Sequence, residues 1–185
     1  MRVVLISANS ETSHATPLPL GLNLVAVAAR DAGHDVRMLT LPGSGDNASI
    51  IRNAVREHRP GVIGVSARNV DDQNRENPGF LLEAVRDTIA LCRAASDATI
   101  VVGGAGFSIF PEAALRYLKA DMGICGEGET AFTALLRALE QGDDLSGITG
   151  LVLPGTPSHR GCAVRAGMEK LPLPDPSLWT VPADA

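Results

Sequence analysis

Short apolar runs alternate with longer stretches whose apolar residues recur at helical spacing, and the alternation repeats five times before residue 142. The runs are Val3 to Ser7, Asp35 to Leu39, Val62 to Ser66, Thr99 to Val102 and Met122 to Cys125. Each is short and mostly apolar, the pattern of a strand buried on both faces. Strands separated by helices imply βαβ units and a parallel sheet covered on both sides. Helical spacing runs over Leu20 to Ala32, where Gly33 ends it, and over Ser49 to Glu57. It continues over Pro78 to Ala95, with Leu81, Leu82, Val85, Ile89 and Cys92 on one stripe. Pro111 opens a fourth helix, since proline suits a first turn whose amide hydrogens are free anyway. Glu129 to Glu140 forms the fifth, turning Phe132, Leu135, Leu136 and Leu139 to the sheet. The fold these patterns predict is α/β, doubly wound (flavodoxin-like or Rossmann-like), with a five-stranded parallel sheet.

From Gly142 onward the texture changes. Gly150 to Leu153 and Ala163 to Arg165 flank a Pro/Gly/Ser loop and predict a small C-terminal β-hairpin. Leu171-Pro172-Leu173-Pro174-Asp175-Pro176 predicts an extended connector, because proline lacks the amide hydrogen and biases its predecessor away from helix. The expected divisions are 1–142 for the main domain, 143–170 for the hairpin appendage and 171–185 for the connector.

Composition narrows the function classes. The chain has 185 residues, a net charge of -5, four Phe, one Tyr and one Trp. That charge and that scarcity of aromatic platforms argue against nucleic acid as a partner. The run Val3 to Ile6 is too short for a signal core or a membrane span, so a cytoplasmic protein without a membrane partner is expected. Cys92, Cys125 and Cys162 are odd in number and far apart, which predicts reduced, mostly buried thiols rather than a disulfide framework or a zinc site. His34 and His58 fall at the amino side of the sheet and are expected at the surface; His14 is the histidine on the functional edge, with no metal role assigned to it.

Ligands of open α/β sheets bind outside the carboxyl ends of the strands. That rule nominates the Ser7 to Gly21 loop, with Ser7, Asn9, Thr16, Pro19 and Gly21 as candidate contacts, and the polar loop after Ser66, with Arg68, Asn69 and Asp71. It also nominates Gly103, Gly104, Gly106, Phe107 and Ser108 after the fourth strand, and Gly126 and Glu127 after the fifth. Glycines there let a ligand approach the backbone closely; the competing reading is a tight turn that only lets a helix pack. The spacing is not G-x-G-x-x-G, and no Gly-Lys-Ser/Thr follows, so a dinucleotide fingerprint and a P-loop are both missing. Glu129 reads as a helix-start carboxylate favoured by the dipole.

Several of these motifs occur together and in order: Pro19-x-Gly21, Ala32-Gly33-His34-Asp35-Val36, Ile63-Gly64-Val65-Ser66-x-Arg68-Asn69-Val70-Asp71, Val102-Gly103-Gly104-x-Gly106-Phe107-Ser108 and Gly126-Glu127-Gly128-Glu129. In this the chain resembles the cobalamin-binding N-terminal domain of cobalamin-dependent radical S-adenosylmethionine enzymes, over residues 1 to about 140. The resemblance implies a cobalamin whose tail enters between sheet and helices past Ser66 and Gly103-Gly104. It also implies a radical S-adenosylmethionine catalytic domain, on the same polypeptide or a separate chain, and a methyltransferase reaction. Other cobalamin domains carry Asp-x-His-x-x-Gly after the first strand, and the Ser7 to His14 segment does not. Cobalt would therefore lack a histidine ligand, with Arg68 or Asn69 the candidates to approach it. The radical family's [4Fe-4S] cluster needs Cys-x-x-x-Cys-x-x-Cys, which these three cysteines cannot supply, so the cluster and S-adenosylmethionine belong to the associated domain.

Two other readings make different demands. A cofactor-free regulatory α/β module of the receiver kind calls for an acidic cluster after the first strand, where Ser7-Ala8-Asn9 stands. A nucleotide-binding enzyme calls for an acidic residue after the second, where Leu39-Thr40-Leu41 stands.

Overall fold

Val3, Val4, Leu5 and Ile6 are all within 1 % of complete burial, so the first run is a strand with helices on both sides. The computed structural model describes residues 1–8, 18–42, 45–72, 74, 76, 79–155, 162 and 172–179. Its strands are β1 (Arg2–Ser7), β2 (Asp35–Thr40), β3 (Val62–Ser66), β4 (Thr99–Gly103), β5 (Met122–Ile124) and β6 (Leu151–Val152), in the order β2-β1-β3-β4-β5-β6. The first five are parallel and β6 runs antiparallel to β5. Within Gly150 to Leu153, β6 joins the main sheet, and Ala163 to Arg165, the other arm of the expected hairpin, lie outside the described residues.

The helices are α1 (Leu20–Asp31), α2 (Asn47–His58), α3 (Leu82–Ala95), α4 (Ala105–Ile109), α5 (Pro111–Leu118) and α6 (Gly128–Gln141). Alternation along β1 sends Val4 and Ile6 to a core shared with α2, α3 and α5, and Val3 and Leu5 to a core shared with α1 and α6. Burial of α2 follows a sharp start, where the Asp46 carboxylate accepts from the Ser49 amide at 3.0 Å. On the α6 side, Phe132, Leu135 and Leu136 are buried as the periodicity predicts.

Three local features depart from expectation. α3 begins at Leu82 because Asp71 bridges to Phe80 and the Asp72 carboxylate holds the Gly79 amide at 2.9 Å; Pro78 lies outside the described residues. His34 is buried, not superficial: its Nδ1 stands 3.1 Å from the amino nitrogen of Met1, which also pairs with Glu140. His58 is largely covered as well, its Nε2 3.1 Å from the Asp35 carbonyl. The cysteine reading is corrected likewise, since Cys125 and Cys162 form a disulfide with Cα atoms 4.6 Å apart; the chain beyond β6 returns to the end of β5. Cys92 alone is a free buried thiol, pushed up to about 12 by burial.

Candidate functional site

Parallel register sets the carboxyl ends of the strands in rows. Ser7 pairs with Ser66 and Ser66 with Gly103, so two hydroxyls and a glycine stand side by side at the sheet's carboxyl edge. One pleat below, Leu5, Gly64 and Val101 form the next row on the same face. Both rows floor a cleft of about 720 Å³ between the sheet and the pair α1 and α6. That volume is within the usual range for small-molecule sites. Leu22 and Val25 of α1 form one wall, Phe132 and Glu129 of α6 the other, and Ile124 closes the inner side. The interior is apolar and the mouth is polar.

Glycine has a different task at each position. A Cβ at Gly64 would stand 2.5 Å from Leu5 Cδ2, so its space is already filled by packing. A Cβ on Gly104, which has φ +100°, would meet the Ala67 carbonyl oxygen at 2.6 Å, so only glycine makes this turn. At Gly103 the nearest atom to an added Cβ is the Ile124 carbonyl oxygen, 3.5 Å away, and the remaining space belongs to the cleft. Ser108 ties two of these ends together, its hydroxyl donating to the Gly104 carbonyl at 3.0 Å and accepting from the Gly126 amide at 2.9 Å.

Of the residues nominated from sequence, Ser7, Pro19 and Gly21 line the cleft, as do Ser66, Arg68, Gly103, Gly104 and Ser108 and, opposite them, Gly126 and Glu127. Four others do not. Phe107 is completely buried in the opposite core, its ring filling the space over Gly123. Gly106 belongs to α4, and a Cβ there would stand 2.8 Å from the Asn69 backbone; Asn69 and Gly106 thus pack on each other. Asp71 is drawn away by its bridge to Phe80. Asn9 and Thr16 lie outside the described residues, as does His14.

Sequence reasoning missed the lower wall (Leu5, Gly64, Val101, Ile124, Phe132), whose only signal is strand alternation. It also took Glu129 for a simple helix start. One Glu129 carboxylate oxygen is buried in the cleft wall with no hydrogen-bond partner, leaving an acceptor to be satisfied by whatever enters. Arg68, exposed at the mouth, has no hydrogen-bond or ion-pair partner among the described residues.

A doubly wound sheet with a deep apolar slot and a polar, glycine-lined mouth has room for an organic ligand that enters between the layers. The B12 binding domain model matches residues 4–136, and the chain belongs to that family. It is 29 % identical over 160 residues to tryptophan 2-C-methyltransferase of Streptomyces laurentii, covering 86 % of this chain and 26 % of that protein. An uncharacterised methyltransferase of Pyrococcus horikoshii is 25 % identical, covering 100 % of this chain and 39 % of that one. Among solved structures, the radical S-adenosylmethionine methyltransferase TsrM of Kitasatospora setae, with cobalamin and a [4Fe-4S] cluster bound, superposes with a TM-score of 0.75 at 30 % identity. The match covers 82 % of this chain and 28 % of TsrM. The cobalamin-dependent radical enzyme OxsB shares the fold, with a TM-score of 0.69 at 19 % identity over 96 % of this chain and 24 % of OxsB. The chain thus spans between about a quarter and two fifths of the length of these relatives. Among the described residues no helix is long and apolar enough to cross a membrane.

Proposed function

We propose that this chain is the cobalamin-carrying part of a radical S-adenosylmethionine methyltransferase whose catalytic domain lies beyond residue 185 or on a separate chain. The observation that carries the reading is the slot under Ser66 and Gly103, open where a side chain would otherwise stand and walled by apolar residues on every deeper side. A flat heteroaromatic tail suits such a slot, since it removes apolar surface from water without stranding a polar group. The unpartnered Glu129 oxygen higher on the same wall suits the hydroxyls and amide groups that join such a tail to its macrocycle.

In this reading Ser66, Gly103 and Gly104 border the tail's channel, and Ser7, Pro19, Gly21 and the loop carrying Asn9 and Thr16 face the macrocycle. Gly126 and Glu127 close the far side of the mouth. Cobalt in this reading has no histidine ligand, because the Ser7 to His14 segment lacks Asp-x-His-x-x-Gly. Of the two candidates to approach the metal, Arg68 is the better supported, because it lines the cleft while the Asn69 backbone is packed on Gly106. Cobalamin when bound supplies a centre able to carry a methyl group; the protein supplies position and electrostatics. The strand ends hold the cofactor; the S-adenosylmethionine and the [4Fe-4S] cluster are assigned to the associated domain.

The test is to mix the purified chain with hydroxocobalamin, desalt it and record the visible spectrum. Retention of about one corrinoid per chain is expected. A colourless protein fraction overturns the proposal.

A further inference from the structure

Asn23 sits in the first turn of α1 with no exposed surface. A primary amide buried without partners is costly, so its partners identify what covers it. Both belong to one distant residue: Asn23 Nδ2 donates to the Asp175 carbonyl at 2.9 Å, and Asn23 Oδ1 accepts from the Asp175 amide at 2.8 Å. The side chain thus pairs with the extended backbone as a neighbouring strand would. Two turns further along α1, the Arg30 guanidinium grips the Asp175 carboxylate at 2.6 Å. The other carboxylate oxygen accepts from the Ser177 amide at 2.8 Å and starts the 3-10 turn Pro176–Leu178. Leu178 and Trp179 then pack on the core that contains Leu5, Val101, Ile124 and Phe132.

Those four residues also line the cleft, and α1 offers the cleft its other face through Gly21, Leu22 and Val25. The connector and the cleft's contents therefore press on the same helix from different sides. α1 starts at Pro19 without a side-chain cap, so its first turn depends on what packs around it. α6 approaches closely, a Cβ at Gly128 standing 2.9 Å from Val25 Cγ2, which leaves the wall little room to yield toward α6.

We propose that residues 172–179 are a strap that positions the α1 wall through Asn23, so that docking of the strap and occupancy of the cleft strengthen each other. This rests on the cobalamin reading of the cleft. Asn23 acts here as a positioning residue, through α1.

Coupling is reciprocal, so one factor should appear in two measurements. In the 185-residue chain, Asn23→Ala and, as a gentler surface variant, Asp175→Ala should bind hydroxocobalamin more weakly than wild type, by about tenfold and about threefold in Kd. In the wild type, saturating hydroxocobalamin should slow amide hydrogen exchange over residues 172–179 by about the same tenfold factor, and Asn23→Ala should abolish that protection. A merely structural Asn23 would lower the melting temperature of the empty protein but leave exchange in 172–179 indifferent to hydroxocobalamin. Wild-type binding without protection overturns the coupling alone. Failure of the wild type to bind overturns the cobalamin reading and the coupling with it.

Discussion

Replacing Gly103 with leucine separates a site for a ligand from a turn that merely lets a helix pack. Gly103 shares its face of β4 with Val101, which lines the cleft, and an added Cβ would touch only Ile124, at 3.5 Å and 4.0 Å. The backbone φ is not in the left-handed region, so no strain accompanies the substitution. Glycine inside a strand is roughly 0.5–1 kcal/mol worse than alanine, so the empty variant should be as stable as wild type or slightly more so. With the slot filled, the leucine overlaps the ligand, and forced overpacking costs about 1–3 kcal/mol. That corresponds to roughly 5- to 150-fold weaker binding. Gly104→Ala is the control with the opposite signature: φ +100° and a carbonyl oxygen at 2.6 Å put about 1–3 kcal/mol into the fold itself. Urea denaturation without ligand and a spectroscopic titration with hydroxocobalamin read the two effects separately. A Gly103→Leu protein that binds like wild type, or one that unfolds while Gly104→Ala is tolerated, refutes the assignment of this space to a ligand.

Glu129→Gln and Glu129→Ala should weaken hydroxocobalamin binding by about 10- to 100-fold in the alanine case and less in the glutamine case, as expected for losing a charged acceptor. If the carboxylate only serves the helix dipole, calorimetry will instead show unchanged affinity and a stability loss of roughly 0.3–1 kcal/mol. Burial, and then the Met1 amino group, hold His34 below its usual 6.5. The unfolded chain therefore takes up a proton that the folded one refuses, and stability should fall as pH drops below about 6.5. Urea midpoints between about pH 5 and 8 should show this slope in wild type and lose it in His34→Gln; a slope that persists in the variant removes His34 as its source. Phe107→Ala should cost about 3–5 kcal/mol of stability, because the ring is a fully buried plug over Gly123. A large loss of affinity at undiminished stability would place Phe107 in the site after all.

Local periodicity made the five parallel strands legible to within a residue at each end, because strands covered by helices are short and mostly apolar. The expected strand within Gly150 to Leu153 is present as a two-residue β6, but its antiparallel pairing with β5 has no local signal. The glycines of the Gly103 to Gly106 stretch read as a turn that bares its backbone to a ligand; the structure starts α4 there, and Gly106 is glycine because the Asn69 backbone leaves no room for a side chain. The misses share a physical cause, namely a partner far away in sequence. His34 meets the amino terminus, Cys125 meets Cys162 across 37 residues, and Asn23 meets Asp175 across 152. No period or local motif encodes such a meeting. At the strand ends the positions were legible but the tasks were not: glycines 64, 103 and 104 look alike in sequence, and only the neighbours show which space is packed, which is strained and which is open.

That division of tasks also explains why the dinucleotide fingerprint is missing from a sheet of this topology. A dinucleotide lies across the carboxyl edge, with its phosphates on the first helix, so its glycines gather in the first strand-to-helix turn. Here α1 opens with Pro19 and lacks a cap, and the glycines have moved to the ends of β4 and β5, opposite α1. A cleft built this way runs down between the layers instead of along their rim. Its depth comes from a row of inward residues, Leu5, Gly64 and Val101, that no edge-binding ligand would reach. α1 and α6 wall this cleft, and they approach each other at the first turn of α6, where a Cβ at Gly128 would stand 2.9 Å from Val25 Cγ2. The α1 wall is held from outside, where the Asp175 backbone pairs with Asn23. The strap and the slot are consequences of one requirement: a ligand that must enter the fold, not rest on it.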